Sequence, residues 1–143
     1  MFLGEYSHNI DAKNRLAIPA KFRAGLKDGA VITRGLDNCL FLFTKSEWQS
    51  LAGKISQLPL SQANARSFSR MMLMGAMEVE LDKLGRILIP DYLKKFAELD
   101  KKVVVGGVLN RIEIWDENKW RTYKNKAEEN VEDVAEGMRE LGI

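Results

Sequence analysis

A chain of 143 residues suits one compact domain, or two very small ones that share a core. With 45% hydrophobic and 29% charged residues, its composition is that of a globular protein and excludes a disordered or fibrous chain. The net charge of +2 is too small to argue for a polyanionic partner, but its distribution is uneven: residues 1–72 hold ten Lys/Arg against five acids, leaving twelve against fifteen in 73–143. A basic front half is compatible with nucleic acid, and the acid is concentrated in a tail carrying Glu128, Glu129, Glu132, Asp133, Glu136 and Glu140.

Read along the chain, one β-rich unit occurs twice. I-D-A-K-N-R-L-A-I-P (10–19) aligns with L-D-K-L-G-R-I-L-I-P (81–90) at an offset of 71, so Asp11 matches Asp82, Arg15 matches Arg86 and Pro19 matches Pro90. After one inserted residue the offset becomes 72, and Gly35 matches Gly107, Leu40 matches Ile112 and Trp48 matches Trp120. Tyr6, His8 and Ile10 alternate with polar residues, as do Val79 and Leu81, predicting a half-buried strand before each turn. Leu16/Ile18 and Ile87/Ile89 continue the alternation, so each turn and its flanks read as a hairpin. Pro19 and Pro90 end those strands and suit the first position of a helix. Short helices follow in K-F-R-A-G-L and D-Y-L-K-K-F-A-E-L, then strands at Val31–Thr33 and Val103–Val105 and at Leu40–Phe43 and Ile112–Trp115.

Thr44 with Glu47 forms a capping box, and Asp116 holds the matching N-cap position. Trp48, Leu51, Ile55 and Leu58 make a helical stripe that stops at Pro59, and Ser61 is expected to cap a further helix through Met74. In the tail, Ala127, Val131, Val134, Met138 and Leu141 are spaced 4, 3, 4, 3, predicting an amphipathic helix with one buried seam and an acidic outer face. The expected divisions are a first module at 5–48, a helical linker at 49–75, a second module at 76–120 and an acidic C-terminal helix at 121–143. Neither unit alone buries enough apolar surface, so the repeats should complete one another's sheet in one α+β, β-rich body with a pseudo-twofold axis and packed helices.

The chemistry is concentrated in the two Asp-x-x-x-Arg turns. In D-A-K-N-R and D-K-L-G-R the aspartate can accept hydrogen bonds from amides of its own turn. Asn14 and Gly85 stand where a left-handed backbone is expected, since both tolerate it. Arg15 and Arg86 then emerge where a strand begins, with Lys13 and Lys83 near the tips. Such a loop presents cations able to reach phosphates or the O6/N7 edge of guanine. A lone turn of this kind is more often a local salt bridge, but two related by a twofold axis suit the repeated geometry of a duplex.

These residues resemble the MraZ family of bacterial transcriptional regulators. The likeness covers nearly the whole chain: M-F-L-G-E-Y, D-A-K-N-R-L-A-I-P-A-K-F-R, T-R-G-L-D-N-C-L-F, S-R-M-M-L-M-G-A, D-K-L-G-R and N-R-I-E-I-W-D. It implies two tandem AbrB/SpoVT-like swapped-hairpin modules, arginines 15 and 86 as DNA contacts, and Asp11 and Asp82 as loop supports. It also implies a ring-shaped homo-oligomer that binds short direct repeats in double-stranded DNA upstream of its own operon, in the division and cell-wall gene cluster. Asn14 departs from the glycine expected there, and the lysines are placed unequally, Lys13 third and Lys83 second in their loops. The front turn, with Lys13, Arg15, Lys21 and Arg23, is expected to be the stronger reader.

The remaining features have bland readings. His8 lacks a partner for base catalysis, and one His with one Cys cannot supply the four ligands of a usual zinc site, so neither enzyme, metal nor cofactor is expected. Cys39 reads as a small apolar filler, with no internal disulfide available. Gly106-Gly107 lacks phosphate-loop spacing and reads as a bend or bulge. Arg66 and Arg70 read as solvated, and the Met71–Met74 cluster as core or subunit interface. No apolar run approaches the ~20 residues of a membrane span, and no secretory leader is visible, so a cytoplasmic, nucleoid-associated protein without a small-molecule substrate is expected. The alternative is a structural or protein-interaction ring protein in which the turns are scaffolding.

Overall fold

The computed structural model describes residues 1–143, and the two halves of the chain run through the same elements in the same order. The first half gives β1 (Phe2–Asn9), β2 (Arg15–Ala17), α1 (Ala20–Arg23), β3 (Ala30–Arg34), β4 (Leu40–Thr44) and α2 (Lys45–Ser56). A linker of α3 (Ala63–Ser69) and a π-helical turn, Arg70–Met74, leads to β5 (Met77–Val79), β6 (Arg86–Leu88), α4 (Asp91–Phe96), β7 (Lys102–Leu109), β8 (Ile112–Asp116) and α5 (Glu117–Glu129). Last come α6 (Val131–Glu136) and a 3-10 turn at Arg139–Leu141.

The repeats exchange strands. Six strands form one antiparallel sheet in the order β1-β7-β8-β4-β3-β5, and β2 pairs with β6 in a separate ribbon. Strand β1 of the first half therefore lies on the β7–β8 hairpin of the second, and β5 of the second lies on the β3–β4 hairpin of the first. Pairing across the centre is Leu40↔Ile114, Phe41↔Glu113 and Leu42↔Ile112. Because Leu40 is equivalent to Ile112 and Leu42 to Ile114, exchanging the repeats maps this register onto itself, with the axis at Phe41–Glu113. The ribbon has the same property: Arg15↔Leu88, Leu16↔Ile87 and Ala17↔Arg86 centre on Leu16–Ile87. This is the α+β architecture of tandem swapped-hairpin modules, and it explains why a single unit has too little core to stand alone.

One face of the sheet packs on the ribbon, α1 and α4 through a core that includes Leu16, Ile18, Phe22, Ile87, Ile89 and Leu93. Phe22 anchors it with edge-on contacts to Phe2 at 5.4 Å and Tyr6 at 5.5 Å. The opposite face, with Phe41, Phe43, Val104 and Trp115, is covered by α2 and the linker through Ile55 and Met72. Cys39 is buried there as a filler and donates to the Leu36 carbonyl at 3.1 Å.

Several local expectations are revised. Each turn does not sit in a full hairpin: within the first unit only Ile10↔Leu16 bridges, because β2 takes its ladder from β6. The Gly35–Gly107 equivalence is also displaced. Ile32 pairs with Leu42 while Val105 pairs with Ile114, so β3 and β7 correspond one residue further along and Gly107 stands where Arg34 does. Gly106-Gly107 is neither bend nor bulge but lies mid-strand opposite Glu5 and Gly4. A Cβ on Gly107 would overlap the Phe2 carbonyl carbon, with the Leu3 nitrogen at 2.5 Å, so glycine is there to let β1 approach.

Helix starts differ by small shifts. Pro19 and Pro90 are the N-cap residues rather than the first helical ones, with ψ of 136° and 140°. Their carbonyls accept from Phe22 and Leu93 at 2.8 and 3.0 Å, so an extended proline both ends the strand and opens the helix. Thr44 caps α2 by accepting from the Glu47 amide at 3.2 Å, without the reciprocal arm of a capping box. Ser61 caps nothing: it lies inside the turn closed by Gln62 N–H to the Pro59 carbonyl, and α3 starts at Ala63. The tail seam is not buried. The helix breaks at Asn130, and every residue from Glu128 to Ile143 is exposed. No helix is long and apolar enough to cross a membrane.

Candidate nucleic-acid interface

Both Asp-x-x-x-Arg turns fold identically, for reasons their residues supply. Asp11 Oδ1 accepts from the amides of Lys13 and Arg15, each at 2.9 Å, and Asp82 Oδ1 accepts from those of Leu84 and Arg86 at the same distances. The Asn14 amide donates to the Asp11 carbonyl at 3.0 Å, and the Gly85 amide to that of Asp82 at 3.0 Å. Asn14 has φ of 60° and Gly85 φ of 74°, the left-handed conformation expected at this position. The amide bonds from Arg15 and Arg86, more than any other influence, hold the two carboxyl groups below their ordinary range. Both aspartates are thus ionised anchors at neutral pH.

Each anchor also aims an arginine. Arg15 Nε donates to Asp11 Oδ2 at 2.7 Å and Arg86 Nε to Asp82 Oδ2 at 2.8 Å. Engagement through Nε fixes the guanidinium plane and leaves the terminal nitrogens of Arg15 without a partner, the end of an arginine that is able to pair with a guanine edge or a phosphate. The Arg15 side chain is 35% exposed and that of Arg86 26%. Arg86 has a further link, with one terminal nitrogen 3.9 Å from Asp11 Oδ2, so the two turns touch.

The ribbon sets the spacing between them. Beside the three β2–β6 pairs, Ile18 donates to the Gly85 carbonyl at 2.9 Å and Ile89 to that of Asn14 at 2.8 Å, the same bond repeated under exchange of the units. Cations from α1 and α4 brace the opposite turn. Arg23 donates through Nε to the Ile18 carbonyl at 2.8 Å and lies under Gly85, where any Cβ would overlap it. Lys94 reaches across to Asn14 and donates to its Oδ1 at 3.0 Å. Lys94 was not among the sequence candidates, although the offset of 71 that relates Asp11 to Asp82 also relates Arg23 to Lys94.

Of the other candidates, Lys13, Lys21 and Lys83 are exposed and form no ion pair. The turns differ at their tips. Where the first has Lys13, the second has Leu84, 65% exposed, and Leu88 beside Arg15 on the ribbon is 59% exposed. His8 stands near Arg23, and burial first, then that positive charge, holds its pKa below the ordinary value. No group of three His, Cys, Asp or Glu is arranged to hold a metal.

Comparison with known proteins agrees with this duplicated architecture. The family model described as "MraZ protein, putative antitoxin-like" matches twice, over residues 1–71 and 72–141. The chain is 53% identical over 143 residues to a protein of Ligilactobacillus salivarius and 51% identical over 143 residues to proteins of Natranaerobius thermophilus and Halothermothrix orenii. Each alignment covers 100% of both chains, and each relative is named transcriptional regulator MraZ. The chain belongs to the MraZ family.

Proposed function

We propose that this protein is a sequence-specific DNA-binding transcriptional regulator, acting as a repressor and without enzymatic activity. The observation that carries this reading is the pair of twofold-related turns in which an ionised aspartate holds an arginine by Nε, with the terminal nitrogens of Arg15 unpartnered and one of those of Arg86 3.9 Å from Asp11 Oδ2. Arg15 and Arg86 read base edges, while Lys13, Lys21, Lys83 and the outer part of Arg23 neutralise phosphates. Asn14 brings backbone close to the duplex, and Asp11 and Asp82 hold the loops. Leu84 and Leu88 supply apolar surface of the kind that meets a thymine methyl group, which makes the two turns unequal readers.

The target is short direct repeats upstream of the protein's own operon, within the division and cell-wall gene cluster. Several copies assemble into a ring, so weakly basic ribbons act together through high effective concentration. That explains how a chain of net charge +2 holds a polyanion. The division into modules at 5–48 and 76–120, joined by a linker at 49–75 and followed by the acidic segment 121–143, is part of this proposal, as is a cytoplasmic, nucleoid-associated location.

A gel shift tests it, using DNA from upstream of the protein's own gene against scrambled competitor at two salt concentrations. Wild type should prefer the cognate fragment and weaken steeply with salt. Arg15→Ala should lose about tenfold or more in affinity, the worth of a good bidentate base contact, with an unchanged oligomer by light scattering. Normal binding by Arg15→Ala and Arg86→Ala would refute the assignment of the turns. Equal binding to both fragments would favour a scaffold protein that holds other proteins.

A further inference from the structure

Four side chains form the outer face of the β2–β6 ribbon. Leu16 and Ile87 are buried beneath it, so alternation turns Arg15, Ala17, Arg86 and Leu88 outward. The register opposes them as Arg15↔Leu88 and Ala17↔Arg86. Residues directly opposed in an antiparallel ladder have Cβ atoms about 4.5–5.5 Å apart, so each arginine has one close cross-strand neighbour. The offset of 71 that relates the units carries Arg15 onto Arg86 and Ala17 onto Leu88. The backbone of the ribbon is therefore twofold, but its outer face is not: one arginine stands beside leucine and the other beside alanine.

The two corners differ in what they offer. Asp11 holds Arg15 by Nε, and no hydrogen bond or ion pair within the chain takes its terminal nitrogens. Leu88 beside it is 59% exposed, a four-carbon apolar side chain next to a guanidinium. At the other corner one terminal nitrogen of Arg86 lies 3.9 Å from Asp11 Oδ2, and Ala17 adds only a methyl group. Free terminal nitrogens suit O6 and N7 of guanine, and the apolar group that the major groove displays is the C5-methyl of thymine. Adjacent bases lie about 3.4 Å apart along a strand, within reach of two side chains set side by side at the cross-strand distance. Leu84 is exposed as well, but it lies at the tip of the second turn and has no cross-strand arginine.

We infer that Arg15 and Leu88 act as one specificity element, which reads a guanine together with the C5-methyl group of a neighbouring thymine. Leu88 is thus a specificity-determining residue supplied to the first turn by the second unit. Because Ala17 offers no such contact to Arg86, the preferred DNA element is asymmetric, and the chain lies on it in one direction. This rests on the reading of the chain as a sequence-specific DNA-binding protein and names what sets its specificity.

The test uses the full chain and the fragment from upstream of its own gene, made either with thymidine or, by amplification with deoxyuridine triphosphate, without the methyl groups. Watson–Crick pairing is the same in both, so the ratio of the two affinities reports on the methyl contact. Wild type should bind the uracil fragment at least about fourfold more weakly, the worth of one buried methyl group. Leu88→Ala should bring that ratio below about twofold, Leu88→Met should keep it, and Leu84→Ala should keep most of it. If Leu88 only supports the ribbon, Leu88→Ala will weaken both fragments together and leave the wild-type ratio, which overturns the assignment. A wild-type ratio of one, on a cognate fragment still preferred over scrambled competitor, overturns it too. A wild type without any preference for the cognate thymidine fragment over scrambled DNA would instead refute sequence-specific binding itself.

Discussion

Gly85→Ala tests whether the second turn owes its shape to a left-handed backbone braced from the first unit. Gly85 has φ of 74° and is buried, and a Cβ there would meet Arg23 Cζ at 2.5 Å and Cδ at 2.7 Å. Two costs follow. A non-glycine residue in the left-handed region costs about 1–2 kcal/mol. Arg23 can move aside, being a flexible side chain, but only by giving up its bond to the Ile18 carbonyl. A hydrogen bond from a charged donor is worth about 1.5–3 kcal/mol, and the lower end applies because this one is only partly buried. Together the change should destabilise the fold by about 2.5–4 kcal/mol. For a chain of this size that lowers Tm by roughly 7–14 °C. Thermal unfolding followed by circular dichroism measures it, with Asn14→Gly as the companion. That second variant keeps the conformation and loses only the Lys94 contact, so its Tm should move by no more than about 3 °C. If Gly85→Ala melts within about 2 °C of wild type, Arg23 is not a brace and the turn is not held as described.

Two further predictions concern the sheet and the pH response. Gly107→Ala should cost about 2–3 kcal/mol, since the obstructing atoms are β1 backbone, whereas Gly106→Ala, whose nearest neighbour is the Gly4 carbonyl oxygen at 4.0 Å, should be close to neutral by chemical denaturation. The amides of Arg15 and Arg86 hold Asp11 and Asp82 below the ordinary value of 3.8, so their contribution is complete above that pH and is lost as pH falls through the lowered values. His8, held below 6.5 by burial and by Arg23, likewise favours folding above 6.5 and loses that contribution as pH falls. A plot of Tm against pH should therefore be level at about pH 7–8 and descend in two stages on acidification; His8→Gln should remove the first stage, and Asp11→Asn with Asp82→Asn should flatten the second.

What could be read in the sequence follows from the range of the interactions involved. The turns were legible because they are local: aspartate, a left-handed Asn or Gly and arginine lie within five residues and satisfy one another there. The duplication and the strand alternation were legible for the same reason. Strand exchange was only half visible, since alternation marks which face is buried but not which strand lies alongside. That is why a hairpin was expected where β2 in fact pairs with β6. The one-residue displacement of β7 was hidden because the two aligned glycines have different work, Gly107 admitting β1 and Gly35 avoiding Phe41 and Cys39. Lys94 escaped notice because its role is to a residue 80 positions away, although the repeat already paired it with Arg23.

Under the proposed function, the same cross-bracing would make one reading surface of two weak turns. If each turn were a free loop, its arginine would pay an ordering cost on meeting DNA, and two turns would pay it twice. Here Arg23 of the first unit supports Gly85 of the second, Lys94 of the second supports Asn14 of the first, and the ribbon bonds join the turns directly. Neither turn can shift without straining the other. The separation of Arg15 and Arg86 is accordingly a property of the fold, set by the ribbon between them. Substitutions beneath the ribbon, such as Leu16→Ala or Ile87→Ala at its axis, should then impair both turns together even though neither side chain reaches the surface.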